Sequence, residues 1–463
     1  ICWCRYEHKR IYLQTSLTVF MKDTFGIHDI AFKAPSLYLP IEDLAIARNL
    51  DPAKLIHGLG LKKMSVCDVD EDVITIAASS VIQLLEQNPE LKPDKIGRIY
   101  VGTESSIDGS KPIGTYVHEL VRQYYERRGI DTIGISHIDV VDMTFACIGA
   151  VDAMHNSLYY LYANPDKVAI VVAADIANYD LDSPGEYTQG AGAAAVLLSK
   201  DPSLISLSDK WGISVKNEHD FFKPIRYKKV NGELLEIHDE KPIFDGQLSN
   251  SVYQNRITEA WEHFRTEELI GNYDQLIFHL PYAYHGRRII APILQQELKN
   301  ENTFNSLCSE QNIDPEDEQI TRLFSKTEFY KKWVKIAVAE GDKLSSEMGN
   351  LYTASLFLSL VSYCLSDSVQ TDNELLFFAY GSGSKAKVFE GKIQAQYRTK
   401  TKSWHIDKNL ADRVRITFNE YISLRKKELK TPLAKTNVIL QESSGITPTN
   451  KFERTYVLKA LVL

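Results

Sequence analysis

Cysteine is scarce, with six in 463 residues, at positions 2, 4, 67, 147, 308 and 364. They form no CxxC pair and keep no regular spacing, which argues against both a zinc site and a disulfide framework. Free thiols in a reducing cytosol are the expectation. Long apolar runs are missing too. Residues 168–174 and 193–198 are the longest, far short of the roughly 18 needed to span a bilayer. The first twenty residues carry charges throughout and have no signal-peptide core or cleavage site. The glycine-bearing stretches GEYTQGAGA (185–193) and YGSGS (380–384) lack the GxGxxG and GxxxxGKS/T orders, so no dinucleotide or Mg-nucleotide site is expected. They read instead as tight turns where backbone approaches a substrate. Positive charge is not in excess: 53 Lys and Arg stand against 61 Asp and Glu, a net charge of −8. That argues against a nucleic-acid binder.

Apolar residues are plentiful, at 44% with 25% charged, so the chain is globular and not disordered. Residues 1–20 read as an extension, and Met21 opens a strand-first domain. Residues 95–101 (KIGRIYV) alternate as a strand that runs into the polar loop GTESSIDGSKP; 113–127 then have helical spacing. A short strand at 138–143 is followed by TFACIGAVDAMHNSLYYL, whose apolar positions recur at helix spacing until Asn164 and Pro165. KVAIVVAA (167–174) is a strand buried on both faces, and 193–199 is another. The rhythm repeats in the second half, with strands at 275–280 and 374–379, helices at 288–298 and 351–365, and a returning strand after YGSGS. Alternating strands and helices in both halves predict an α/β fold around a mixed sheet. The polar stretch 299–317 reads as an insertion, and the basic segment 397–435 as a solvated helix face or subunit surface.

Three residues stand out chemically. Cys147 lies between a buried strand and a helix start, flanked by Ala146 and Gly149. The helix dipole and N–H groups there favour thiolate and can hold an oxyanion. Glu104 sits at a strand end, where ligand sites of open α/β sheets gather and where burial raises a carboxyl's pKa enough to shuttle a proton. His279 lies between Phe278 and Leu280 and before Pro281. Each alone is commonly a structural residue; together they place three reactive groups at three strand ends. HGRR (285–288) adds guanidinium groups suited to phosphates.

In combination these stretches resemble the hydroxymethylglutaryl-CoA synthase family of thiolase-like condensing enzymes, from about Asp29 to about Gly391. VGTESSIDGSKP resembles the family's glutamate loop, and FACIGAVDA its nucleophile motif. VVAADIANY puts Asp175 in the family's acidic position, GEYTQGAGA supplies Thr188, and DFFKP (220–224) is a further signature. FDGQLSNSVY offers Ser249, FHLPY carries His279, GNLYTASL offers Asn350 and AYGSGS offers Ser382. Arg288 stands where relatives often have a CoA-binding lysine. Ile148 follows the cysteine in place of an aromatic, and Tyr284 replaces another lysine.

The resemblance implies a thiolase-like five-layered αβαβα fold of two related halves: 21–200 carrying Glu104 and Cys147, and 201–463 carrying His279 with inserted helices and a basic tail. It implies that Cys147 accepts an acetyl group from acetyl-CoA and that Glu104 removes a methyl proton. The carbanion then attacks acetoacetyl-CoA positioned by His279, and water releases the product. Asp175, Thr188, Ser249, Arg288, Asn350 and Ser382 are implied to bind substrate. No metal or cofactor beyond the CoA thioester substrates is expected, nor a nucleic-acid or membrane partner. A cytoplasmic homodimer in the mevalonate route to isoprenoids is the setting. The alternatives are a polyketide β-branching relative acting on an acyl carrier protein, whose acidic helix the basic segment would suit, and a catalytically silent scaffold.

Overall fold

The two most apolar segments of the first half become neighbouring strands, Val168–Ile176 and Ala191–Lys200, buried along nearly their whole length. They pair antiparallel, from Ala169 opposite Leu198 to Ile176 opposite Ala191. The computed structural model describes residues 23–265, 268–434, 439–446 and 451–458; the expected extension at 1–20 lies outside them. Among the described residues, nine strands join in one mixed sheet. Its order is Gln275–Phe278, Glu374–Gly381, Lys385–Ile393, Ile205–Val215, Phe25–Lys33, Ala191–Lys200, Val168–Ile176, Ile96–Gly102 and Asp139–Met143.

That order contains a duplication. In the first half the opening strand, Phe25–Lys33, pairs antiparallel with Ala191–Lys200. That strand pairs antiparallel with Val168–Ile176, which runs parallel to Ile96–Gly102. In the second half Ile205–Val215 pairs antiparallel with Lys385–Ile393, then Glu374–Gly381 follows antiparallel and Gln275–Phe278 parallel. The halves meet where Phe25–Ile27 lie opposite Ile205–Leu207, only three residues on each side.

Five layers follow from where side chains point. Along Val168–Ile176, Ile170, Val172 and Ala174 face the helices Val73–Gln87 and Ile113–Arg127. Ala169, Val171 and Ala173 alternate to the other face and meet Gly149–Ala163 and Ser355–Cys364, the helices packed between the two halves. The second half turns Leu376, Phe378 and Val388 outward onto Gly246–Phe264 and Ala291–Asn300. The arrangement is αβαβα. Alanine-rich strand centres let helices approach both faces closely.

Three expectations change in detail. The helix expected over 288–298 is two, His285–Ile289 and Ala291–Asn300, because Pro292 sits in the first turn of the second, where its missing N–H costs nothing. The polar stretch 299–317 contains the helix Phe304–Glu310, whose Phe304 and Cys308 are buried in the outer core. The basic segment is more than a solvated face. Lys400 reaches Asn88 and Asp29, Arg413 is 6% exposed and bonded to Ser65, and Arg425 donates to Gln189 and to the carbonyl of Tyr179. Charge density in the sequence cannot separate a cation that faces water from one that ties two segments together. Among the described residues no helix is long and apolar enough to cross a membrane.

Candidate active site

The strands Ile96–Gly102, Asp139–Met143, Val168–Ile176 and Gln275–Phe278 all deliver their chemistry just past or at their carboxyl ends: Glu104, Cys147, Asp175 and His279. This is the edge where open α/β sheets bind ligands. Cys147 follows Ala146, whose backbone is left-handed at φ 39°. A non-glycine residue there costs about 1–3 kcal/mol and persists only where the surroundings enforce it. Two close approaches enforce it. A Cβ on Gly102 would lie 2.1 Å from the Ala150 nitrogen, and one on Gly381 would lie 2.7 Å from the Phe145 carbonyl oxygen. Both glycines let neighbouring strand ends press on the Cys147 turn. Ile148 is fully buried behind it, in the central core.

The Cys147 thiol donates to Glu104 Oε1 at 3.0 Å. The Glu104 side chain is 6% exposed, and its other oxygen lies 3.4 Å from Lys223 Nζ, which also donates to the Glu104 carbonyl at 3.0 Å. Burial pushes the Glu104 carboxyl up, and Lys223 opposes the rise. The thiol behaves differently from the sequence expectation. Burial, then the neighbouring Glu104 carboxylate, holds its pKa well above the ordinary value. A helix dipole contributes at most about 2 kcal/mol, whereas an unpaired buried charge costs several, so burial wins and the resting group is a thiol. Two N–H groups of this turn are also already used: Ile148 donates to Phe145 and Gly149 to Ala146.

Asp175 has no exposed surface. Its carboxylate accepts from the Glu104 N–H, the hydroxyls of Thr103 and Ser105, and both the N–H and hydroxyl of Thr353. It therefore holds the Glu104 loop against the Thr353 turn. Between them stands Tyr352, left-handed at φ 46°. With Tyr179 it packs against Cys147, beside Phe221 and Phe244. Its backbone also lies against the His279 ring, so Tyr352 stands between the imidazole and the thiol side of the site. His279 is 2% exposed. Its backbone N–H donates to the Phe378 carbonyl and its backbone carbonyl accepts from the Tyr253 hydroxyl. Burial pulls its pKa down to about 3, so the ring is neutral.

The other expected residues fall in two groups. Asn350 is buried, and its side-chain oxygen accepts from the Tyr352 N–H while its own N–H donates to the Thr188 carbonyl. Ser249 donates to the carbonyl of Asp220, whose carboxylate accepts from the Tyr380 hydroxyl and the Gly383 N–H. Ser382 lies beside the Tyr380 hydroxyl. These contacts anchor the loop that presents Lys223. Arg288 stands apart and exposed, donating to the Tyr282 hydroxyl and the Gly58 carbonyl. Tyr284 packs across Gly60 and under the Arg287 guanidinium. Lys223, Tyr352 and Tyr253 were not singled out by sequence reasoning; the lysine inside DFFKP was the one legible signal. Among the described residues no group of three or more His, Cys, Asp or Glu converges to hold a metal ion.

Five layers, with a thiol and a carboxyl meeting at the carboxyl edge of the sheet, define a thiolase-like acyl-condensing enzyme. The hydroxymethylglutaryl-coenzyme A synthase N-terminal family profile matches residues 21–203, and the C-terminal profile matches 209–461. The chain belongs to the hydroxymethylglutaryl-CoA synthase family, an acyltransferase family. The Enterococcus faecalis hydroxymethylglutaryl-CoA synthase is 31% identical over 89% of this chain and 94% of its own. That of Haloferax volcanii is 29% identical over 84% and 86%. A solved structure of MvaS in complex with 3-hydroxy-3-methylglutaryl coenzyme A aligns with TM-score 0.78 and 26% identity, over 95% of this chain and 100% of that one. The curacin pathway HMG synthase, at 20% identity and TM-score 0.73 over 94% and 100%, shares the fold.

Proposed function

We propose that the protein condenses acetyl-CoA with acetoacetyl-CoA to give hydroxymethylglutaryl-CoA, with Cys147, Glu104 and His279 as its catalytic groups. The observation that carries this reading is the 3.0 Å thiol–carboxylate hydrogen bond beside a buried aromatic cluster. Glu104 accepts the thiol proton as sulfur attacks the acetyl thioester, and free CoA leaves as its thiol. Glu104, a carboxylate again, then takes a proton from the acetyl methyl group, whose acidity comes from the adjoining thioester. The carbanion adds to the ketone of acetoacetyl-CoA, and the alkoxide is protonated. Water then cleaves the enzyme thioester. A neutral His279 donates a hydrogen bond to the second substrate without adding a charge to a dry site.

In this scheme Asp175, Thr188, Asn350, Ser249 and Ser382 shape the pocket through the contacts above, while Arg288, at the exposed rim, meets the phosphates of CoA. The division into 21–200 and 201–463 belongs to the same proposal, one half supplying thiol and carboxyl and the other the imidazole. We read the protein as a cytoplasmic homodimer of the mevalonate pathway. Its four described cysteines are free thiols. Asp139–Met143, at the sheet's edge with Val141 exposed, is the strand suited to pair across a two-fold axis.

Lys223 supplies a pH test. Its ammonium favours the ionised Glu104, so removing it raises that carboxyl's pKa further. For Lys223→Met, the acid limb of the kcat/KM profile is expected to move to higher pH; a limb that stays or moves lower contradicts the assignment of Glu104 as base. The substrate itself is tested by competition. Acetoacetyl-CoA should be used in preference to acetoacetyl groups on an acyl carrier protein, and the reverse preference would replace this reading with polyketide β-branching.

A further inference from the structure

His285 opens the short helix His285–Ile289, six residues beyond His279, and is 2% exposed. The ring of Tyr253 stacks on it, centroids 4.6 Å apart, and Tyr282 meets it edge-on at 4.8 Å. The same Tyr253 ring stands 6.1 Å from His279 and donates through its hydroxyl to the His279 carbonyl. Two buried imidazoles therefore share one tyrosine. Among the described residues neither ring nitrogen of His285 has a hydrogen-bond partner, and neither does Nδ1 of His279.

Each such nitrogen left unsatisfied carries the full desolvation penalty of a buried polar group. An aliphatic side chain at 285 would pack on Tyr253 and Tyr282 without that cost. A structural role therefore accounts for the bulk of His285 and leaves its polarity unexplained. The polarity has a complement next door. Burial keeps both rings neutral, and a neutral imidazole donates at one nitrogen and accepts at the other. Nδ1 is the buried nitrogen of the His279 ring without a partner. In the tautomer protonated at Nε2, that Nδ1 is a buried lone pair in need of a donor.

We propose that His285 is a positioning residue for His279. Its N–H donates, through one buried water, to the Nδ1 lone pair of His279 and holds the His279 proton on Nε2. A water with polar groups on both sides is the kind that persists in a protein interior. A fixed tautomer presents one defined N–H at the strand end where the ketone of the second substrate lies, so the consequence for catalysis rests on the function proposed above. The tautomer itself does not.

The test uses full-length protein carrying His285→Leu or His285→Gln. For the leucine variant, acetyl transfer from acetyl-CoA to Cys147 should keep its wild-type rate. Condensation kcat should fall about tenfold, the worth of one neutral hydrogen bond, with KM for acetoacetyl-CoA little changed. Glutamine, which restores a donor, should recover most of that loss. Nitrogen-15 spectra should show His279 as a single Nε2-protonated tautomer in the wild type and as a mixture in the leucine variant. Unchanged kcat with unchanged spectra, or equal loss of acetylation and condensation in both variants, would overturn the proposal. Wild-type protein that neither acetylates nor condenses would sink the functional reading alone, since the spectra require no turnover.

Discussion

Cys147→Ala is expected to take up no acetyl mass from acetyl-CoA and to lose about 10⁴-fold or more in kcat, as removal of a covalent nucleophile does elsewhere. The wild type should gain one acetyl group per chain under the same conditions. The expectation is specific because the neighbourhood is otherwise left intact. The turn that carries residue 147 is held by Gly102 against Ala150 and by Gly381 against Phe145, contacts that do not involve the sulfur. Alanine also fits the site without overpacking, so circular dichroism and unfolding behaviour should stay near wild type. Intact-mass spectrometry is the measurement. Equal labelling of wild type and variant would move the nucleophile elsewhere, and the buried or half-buried thiols of Cys67, Cys308 and Cys364 would be the next to examine.

Glu104→Ala should separate the two halves of the reaction. The variant still acetylates Cys147 but condenses about 10²–10⁴-fold more slowly, the usual range for loss of a positioned general base. The first step survives for an electrostatic reason. The Glu104 carboxylate raises the thiol pKa, so removing it lowers that pKa and makes thiolate easier to form even as the proton acceptor disappears. The pH at which iodoacetamide alkylates Cys147 at half its maximal rate should therefore shift downward in Glu104→Ala. An upward shift, or normal turnover of both substrates, would remove Glu104 from the role of base. Asp175 cannot replace it, because its carboxylate is enclosed by the donors of Thr103, Glu104, Ser105 and Thr353.

Much of this architecture is legible in local pattern. The helix expected over 113–127 is Ile113–Arg127, and the strand read at 167–174 is Val168–Ile176, displaced by one or two residues at each end. A run of β-branched and alanine residues has few ways to bury both faces other than a central strand. The thiol's ionisation is not legible there, for the opposite reason. Position at a helix start is visible in the sequence, but the burial and the carboxylate that outweigh it come from residues 43 positions away. The cations of the 397–435 segment are equally illegible locally, since Lys400 and Arg425 find partners more than 200 residues earlier.

The sequence by itself determined the alternating strands and helices, the small residues around Cys147, and the motifs that single out Glu104, Cys147 and His279. These are properties of short windows, governed by side-chain period, turn chemistry and residue type. Only the tertiary structure decided that the thiol rests protonated against the carboxyl, that Tyr352 stands between it and the imidazole, that Lys223 lies against the Glu104 carboxyl, and that His285 and His279 are buried around one tyrosine. Those outcomes depend on desolvation and on distances between groups far apart in the chain, and both come into being only when the two halves close on their shared helical layer.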